Sequence, residues 1–174
     1  HLAVLSKAAE ESGWTRPLQQ GRGRGISLQE SFGSIVAQVV EVTVIEGKLS
    51  VDRVVAVIDA GIAVAPDGIT AQLESGIIYG LTAALHGEIT IENGSIAQSN
   101  FDDYKSVRMD EAPKIETHII NSGHDIGGAG EPGTPGIAPA LANAVFDATG
   151  LRIHQQPLGN FDLNYQAEES GEVA

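Results

Sequence analysis

One run constrains this chain more than any other: Gly127-Gly128-Ala129-Gly130-Glu131-Pro132-Gly133-Thr134-Pro135, a glycine-rich turn with a single carboxylate that leads directly into an apolar helix. Glycine admits positive φ and lets other atoms approach the backbone closely, so successive N–H groups of such a run can turn inward as an anion-binding nest. Thr134 suits an N-cap and Pro135 the first helical position. Over residues 135–149 Ile137, Leu141, Val145 and Phe146 share one face, and Gly150 ends the helix. Glu131 therefore stands just outside a helix N-terminus, where the dipole favours its ionised form. A carboxylate on a proline-flanked turn can act as a general base. The same residues also read as an ordinary loop whose acid is solvated or caps the helix.

The remaining pattern is that of an α+β chain: β-hairpins and a mixed sheet packed against two or three helices. Leu2 to Ser12 has helical spacing with Gly13 as its stop, and Trp14 and Pro17 lead into Gln20-Gly21-Arg22-Gly23-Arg24-Gly25. That run reads as a turn, either anchored by its arginines or holding a phosphate or carboxylate through guanidinium and backbone donors. From Ile26 the pattern becomes β. Ser34 to Ile45 and Leu49 to Asp59 are valine-rich strands joined at Glu46-Gly47-Lys48. Ile69, Leu73, Ile77, Leu81 and Leu85 define the core face of a helix, and Gln72, Gly76, Tyr79, Gly80 and Ala83 a neighbouring face open to close approach. Asn93-Gly94 marks a hairpin between residues 87 and 100. Lys114 to Asn121 reads as another strand, and Leu151 to Leu158 as a short last one. Residues 1–158 make one domain, followed by a polar, acidic tail over 159–174 that is expected to be mobile around Glu168 to Glu172.

Composition narrows the function. The formal net charge of −13 argues against nucleic acid or an anionic membrane surface as partner. With no cysteine among 174 residues, this chain can build neither an iron–sulfur cluster nor a cysteine-based zinc site. The five histidines have no recognised zinc spacing, and no serine-hydrolase elbow is present. No apolar run is long enough to cross a membrane. The chain reads as soluble, in cytoplasm or periplasm, and His1 in place of a methionine suggests a processed product or a piece of something longer.

Three separated motifs, in order, resemble one family. GRGRGI with ESFGS, AQLESGIIYGLTAAL, and GGAGEPGTPGIAPALANAVFDATG are similar to segments of the molybdenum-binding large subunits of the xanthine dehydrogenase and aldehyde oxidase family, of the isoquinoline 1-oxidoreductase β-subunit type. The resemblance covers most of residues 13 to 158. It implies a C-terminal molybdopterin-binding portion, a molybdopterin cofactor in its cytosine dinucleotide form, and hydroxylation of an aldehyde or N-heteroaromatic carbon with water. Glu131 then corresponds to the active-site base, and Gln72 to the glutamine that hydrogen-bonds the pterin, with Gly128 and Gly130 beside the cofactor. No residue here would ligate the metal. Ser75 stands where a glycine is commoner, and residues 100–105 depart from the family's pattern, so no substrate contact is assigned there. The expected partners are the remainder of the molybdenum-binding subunit and an iron–sulfur electron-transfer subunit. A non-catalytic fragment or interaction module that keeps the fold stays open, as does a phosphate-ligand binder built on Arg22 and Arg24.

Overall fold

The computed structural model of the chain describes residues 1–164. Its centre is a four-stranded sheet. Strand β1 (Arg22–Ser31) pairs antiparallel with β2 (Ser34–Ile45), and β2 with β3 (Lys48–Asp59). The β2–β3 turn places Glu46 and Gly47 at φ 49° and 74°, the left-handed pair whose twist matches that of the flanking strands. Two short strands, β4 (Ile91–Glu92) and β5 (Ser95–Ile96), form a separate hairpin around Asn93-Gly94. Strand β6 (Lys114–Ile120) returns to the main sheet and runs parallel to β3, so the order across it is β1-β2-β3-β6.

Alternation along β2 and β3 sends side chains to two layers of helix. Ala37, Val39, Val55 and Val57 meet Val4 and Ala8 of α1 (Leu2–Ser12) on one face. On the other, Val40, Val42, Val54 and Ala56 pack against Ile77 and Leu81 of α2 (Pro66–His86) and Leu141 and Val145 of α3 (Ile137–Thr149). Full burial of one such side chain stabilises the fold by about 1.5–3 kcal/mol. This is the expected α+β class, a mixed sheet between helices.

The glycine run at residues 20–25 is a turn only at Gln20 and Gly21, and from Arg22 it is strand. Residues 22–25 lie within β1, and α3 crosses that strand at contact distance: a Cβ on Gly23 would overlap the Ala144 carbonyl, and one on Gly25 the Ala140 carbonyl. Nor is Arg24 available to an anion. Its guanidinium is buried and donates to the carbonyls of Gly13 (3.0 Å) and Trp14 (2.9 Å) and to Glu41 (2.9 Å), which fastens the end of α1 to the sheet. Only Arg22 of that pair remains exposed. The last strand expected from Leu151 does not form either. Residues 151–157 run as irregular chain that closes the core through Ile153, and the body continues past Leu158 to Leu163, which is also buried. Glu168 to Glu172 lie outside the described residues.

A second arginine ties α1 to the sheet. Arg53 on β3 donates from Nε (3.1 Å) and Nη2 (2.7 Å) to Glu116 on β6 and from Nη2 to the Glu11 carbonyl (3.1 Å). The Arg53 hydrogen bond, assisted by Lys114, holds the Glu116 carboxyl at about 2, well below an ordinary glutamate. A depressed folded-state pKa stabilises the protein above the unfolded value, and that contribution is lost as pH falls through the folded one. Glu116→Gln should therefore lower the free energy of unfolding at pH 7 by roughly 1–2 kcal/mol, the worth of a partly exposed charged hydrogen bond. Denaturant titrations at successive pH values should show the parent's advantage shrinking from about pH 4.5 downward and disappearing near pH 2.

Candidate functional site

The loop at residues 127–136 is fixed by its contacts with the sheet and α2 rather than by a nest. None of its glycines is among those with positive φ. Two of its N–H groups are spent inside the protein: Gly127 donates to the Ala60 carbonyl (3.0 Å) and Gly128 to the Phe32 carbonyl (2.8 Å). The Gly128 carbonyl in turn accepts from Ser34 Oγ (2.6 Å). Gly128 is thus spent on holding the loop, contrary to a backbone role towards an anion.

Glycine is required here for proximity. A Cβ on Gly133 would lie 2.9 Å from the Leu73 carbonyl, and one on Gly76 would lie 3.2 Å from Thr134 Oγ1. Thr134 does not cap the helix. Its hydroxyl donates to the Gly76 carbonyl (3.2 Å), and α3 begins two residues later than the sequence suggests, with Gly136 at the N-cap and no side-chain cap. Glu131 consequently stands a full turn of loop before α3, so the dipole argument loses most of its force.

The loop and α2 together wall a cavity of about 520 Å³, lined by Phe32, Ser75, Gly76, Tyr79, Gly130, Glu131, Thr134 and Pro135. Glu131 is exposed at its edge, and Gly130 would admit a methyl group without touching anything within 4 Å. Gln72 is exposed on α2 one turn before Gly76, near this cavity but outside its lining. Two of the walls are aromatic. Tyr79 is 67% exposed, and Phe32, at the tip of the β1–β2 turn, is 62% exposed. Phe32 holds φ 56°, a conformation that costs a bulky side chain energy. Tyr79 stands on the second face of α2 that the sequence marks as open to close approach, whereas Phe32 and Ser75 were not evident as site residues from spacing. The signals were there in a Phe-Gly hairpin turn and in a tyrosine set among small residues on the second face of α2.

The model of the molybdopterin cofactor-binding domain family matches residues 6–113, and the chain belongs to that family. The match runs from α1 through α2 to the threshold of β6 and stops short of Glu131. The β-subunit of isoquinoline 1-oxidoreductase from Brevundimonas diminuta is 34% identical over 161 residues, covering 90% of this chain and 21% of that protein. A nicotinate dehydrogenase subunit from Pseudomonas putida is 31% identical over 177 residues, again 90% of this chain but 15% of the relative. The chain thus spans about a fifth or less of these proteins. Among solved structures, a Cu,Mo-CO dehydrogenase matches with a TM-score of 0.60 at 27% identity, over 66% of this chain and 16% of that one. The aldehyde oxidoreductase from Desulfovibrio gigas shares the fold, with a TM-score of 0.61 at 22% identity over 71% and 14%.

Two glycines of the loop separate packing from ligand access. Gly130→Ala should leave the free energy of unfolding within about 0.5 kcal/mol of the parent. Gly133→Ala should cost roughly 1–3 kcal/mol, because its methyl must displace backbone of α2. Urea denaturation of the two variants checks this.

Proposed function

We propose that the chain is the C-terminal part of a molybdenum hydroxylase large subunit, which hydroxylates an aldehyde or an N-heteroaromatic carbon with oxygen from water, and that Glu131 is its general base. The observation that carries the reading is the position of Glu131: a carboxylate on a loop tied at both ends, exposed at the edge of a cavity whose other wall is α2. Two relatives bear names of N-heteroaromatic compounds, isoquinoline and nicotinate, which favours that substrate class.

The residues present fit a pterin cofactor. Gly130 leaves open space where a side chain would intrude, and Gln72 offers both an amide donor and a carbonyl acceptor on the neighbouring turn of α2. Gly128 contributes by anchoring the strand of loop from which Gly130 and Glu131 project. The cofactor in this reading is molybdopterin in its cytosine dinucleotide form, and when bound it supplies the two-electron oxidation and the activation of water. Glu131 Oε accepts the proton released as the new carbon–oxygen bond forms. Phe32 and Tyr79 flank the opening with flat apolar surface, suited to an aromatic or small apolar substrate and to keeping bulk water from the carboxylate. In this reading electrons leave through iron–sulfur clusters of a partner subunit, because these 174 residues hold no cysteine to ligate one. Among the described residues no helix is long and apolar enough to cross a membrane.

In the assembled enzyme, Glu131→Gln should lower kcat by about 10²–10⁴-fold, the usual worth of a general base, with molybdenum content preserved. Turnover near the parent's would reject the role. Because the cavity is open where other walls of a buried site would stand, the chain expressed alone should carry no stoichiometric molybdenum. Elemental analysis of the purified chain, with and without its partner segments, tests that expectation.

A further inference from the structure

Two polar side chains sit side by side on the face of the sheet that receives α2 and α3. Ser27 of β1 and Gln38 of β2 are direct partners in the strand register, and Ala56 lies beyond them on β3. Gln38 is completely buried. Its Nε2 donates to the Gly133 carbonyl (2.6 Å), while Ser27 Oγ donates to the Gly136 carbonyl (2.7 Å). The two bonds bracket the Thr134-Pro135 turn that follows Glu131. On the edge strand, Gln29 Nε2 donates to the Pro132 carbonyl, next to Glu131 itself.

Burial of Gln38 is poorly compensated. Its Oε1 has no hydrogen-bond partner, and the neighbouring Gly136 leaves just enough room for it, since a Cβ there would come within 3.0 Å. Exchanging the two ends of the amide would set its oxygen against the Gly133 carbonyl oxygen, so the observed orientation is the favourable one. A buried amide with one unpaired atom is disfavoured relative to a hydrocarbon of the same length. Val36 and Val40, the neighbours of Gln38 on that face, are buried and wholly apolar. What the amide adds, and a hydrocarbon cannot, is a directional bond to the loop.

We infer that Gln38 is a positioning residue for Glu131: by holding the Gly133 carbonyl from beneath, with Gln29 holding Pro132, it fixes the direction in which the carboxylate leaves the loop. The catalytic half of this inference rests on Glu131 being the base, whereas the structural half does not. A base displaced by about 1 Å can lose 10²-fold in rate although binding is intact.

The test uses the assembled enzyme carrying Gln38→Met, which keeps length and removes both amide groups. Hydrogen exchange read by mass spectrometry should rise at least tenfold in the peptide containing the Thr134 amide, which bonds the Glu131 carbonyl (2.9 Å), and stay unchanged in peptides of β2 and β3. Turnover should fall about 10- to 100-fold with KM and molybdenum content nearly unchanged. Gln38→Glu, whose buried acid stays protonated and can still donate to Gly133, should restore most of it. In a Glu131→Gln background, Gln38→Met should subtract nothing further, since both act through one group. Should Gln38→Met fail to assemble, Gln29→Met on the edge strand carries the same readouts. Unchanged loop exchange, or kcat within twofold of the parent, overturns the inference. Failure of Glu131 as base would show separately, as turnover retained in Glu131→Gln alone.

Discussion

The structure depends on backbone meeting backbone. At residues 133–134 the loop lies directly on α2, Gly133 over Leu73 and Thr134 over Gly76, and at Gly23 and Gly25 the helix that follows this loop lies directly on β1. Neither contact tolerates a side chain. Together they place Glu131 between two rigid elements, so that a carboxylate on an exposed loop gains the fixed position that loops ordinarily lack. Except at Gly130, whose surroundings are open, the loop glycines serve proximity, and the loop's hydrogen bonds run largely to the hairpin of β1 and β2.

The sheet makes this possible by dividing its labour between two faces. The face under α1 carries the charges: Arg24, Glu41, Arg53 and Glu116 form a connected cluster that also receives carbonyls at the end of α1. The other face is largely apolar, its polar side chains being Ser27, Gln29, Ser34 and Gln38, which hold the loop, and Thr117, which meets Thr70 of α2. A β-bulge in the β2–β3 ladder after Glu41 adjusts the register between these regions, with Asp52 as the extra residue on β3. Electrostatic fastening on one side and dispersion on the other leave the candidate site where the β1–β2 turn, the loop and the middle of α2 converge.

Much of this was legible in the sequence. The valine-rich hairpin, the Asn-Gly turn, α1 with its glycine stop and the fourfold spacing of α2 express local rules that tertiary structure did not override. What was illegible depended on distant partners. Residues 22–25 form a strand because α3 needs the glycines beneath it, and no local pattern reports that. Thr134 and Pro135 satisfy capping statistics, yet the threonine hydroxyl finds a carbonyl on α2, and the helix starts at Ile137 instead. Residues 151–157 have no strand to join, and they cover the core as irregular chain. Of the site residues, Glu131 and Gly130 do line one cavity, Gln72 stands a turn away, and Gly128 lies behind the loop. Phe32 and Tyr79, the exposed aromatic walls, belong to the site only because a turn and a helix distant in sequence meet there.

Whether the loop holds Glu131 against the cofactor is decided by an experimental structure of the assembled enzyme with its cofactor bound. Residues 127–136 should superpose on the present loop to within about 0.5 Å, the tolerance of a preorganised site, with the Glu131 carboxylate facing the cofactor across the space beside Gly76 and Tyr79. A cofactor seated on another surface of the chain, or a loop refolded so that Glu131 faces bulk water, would contradict it.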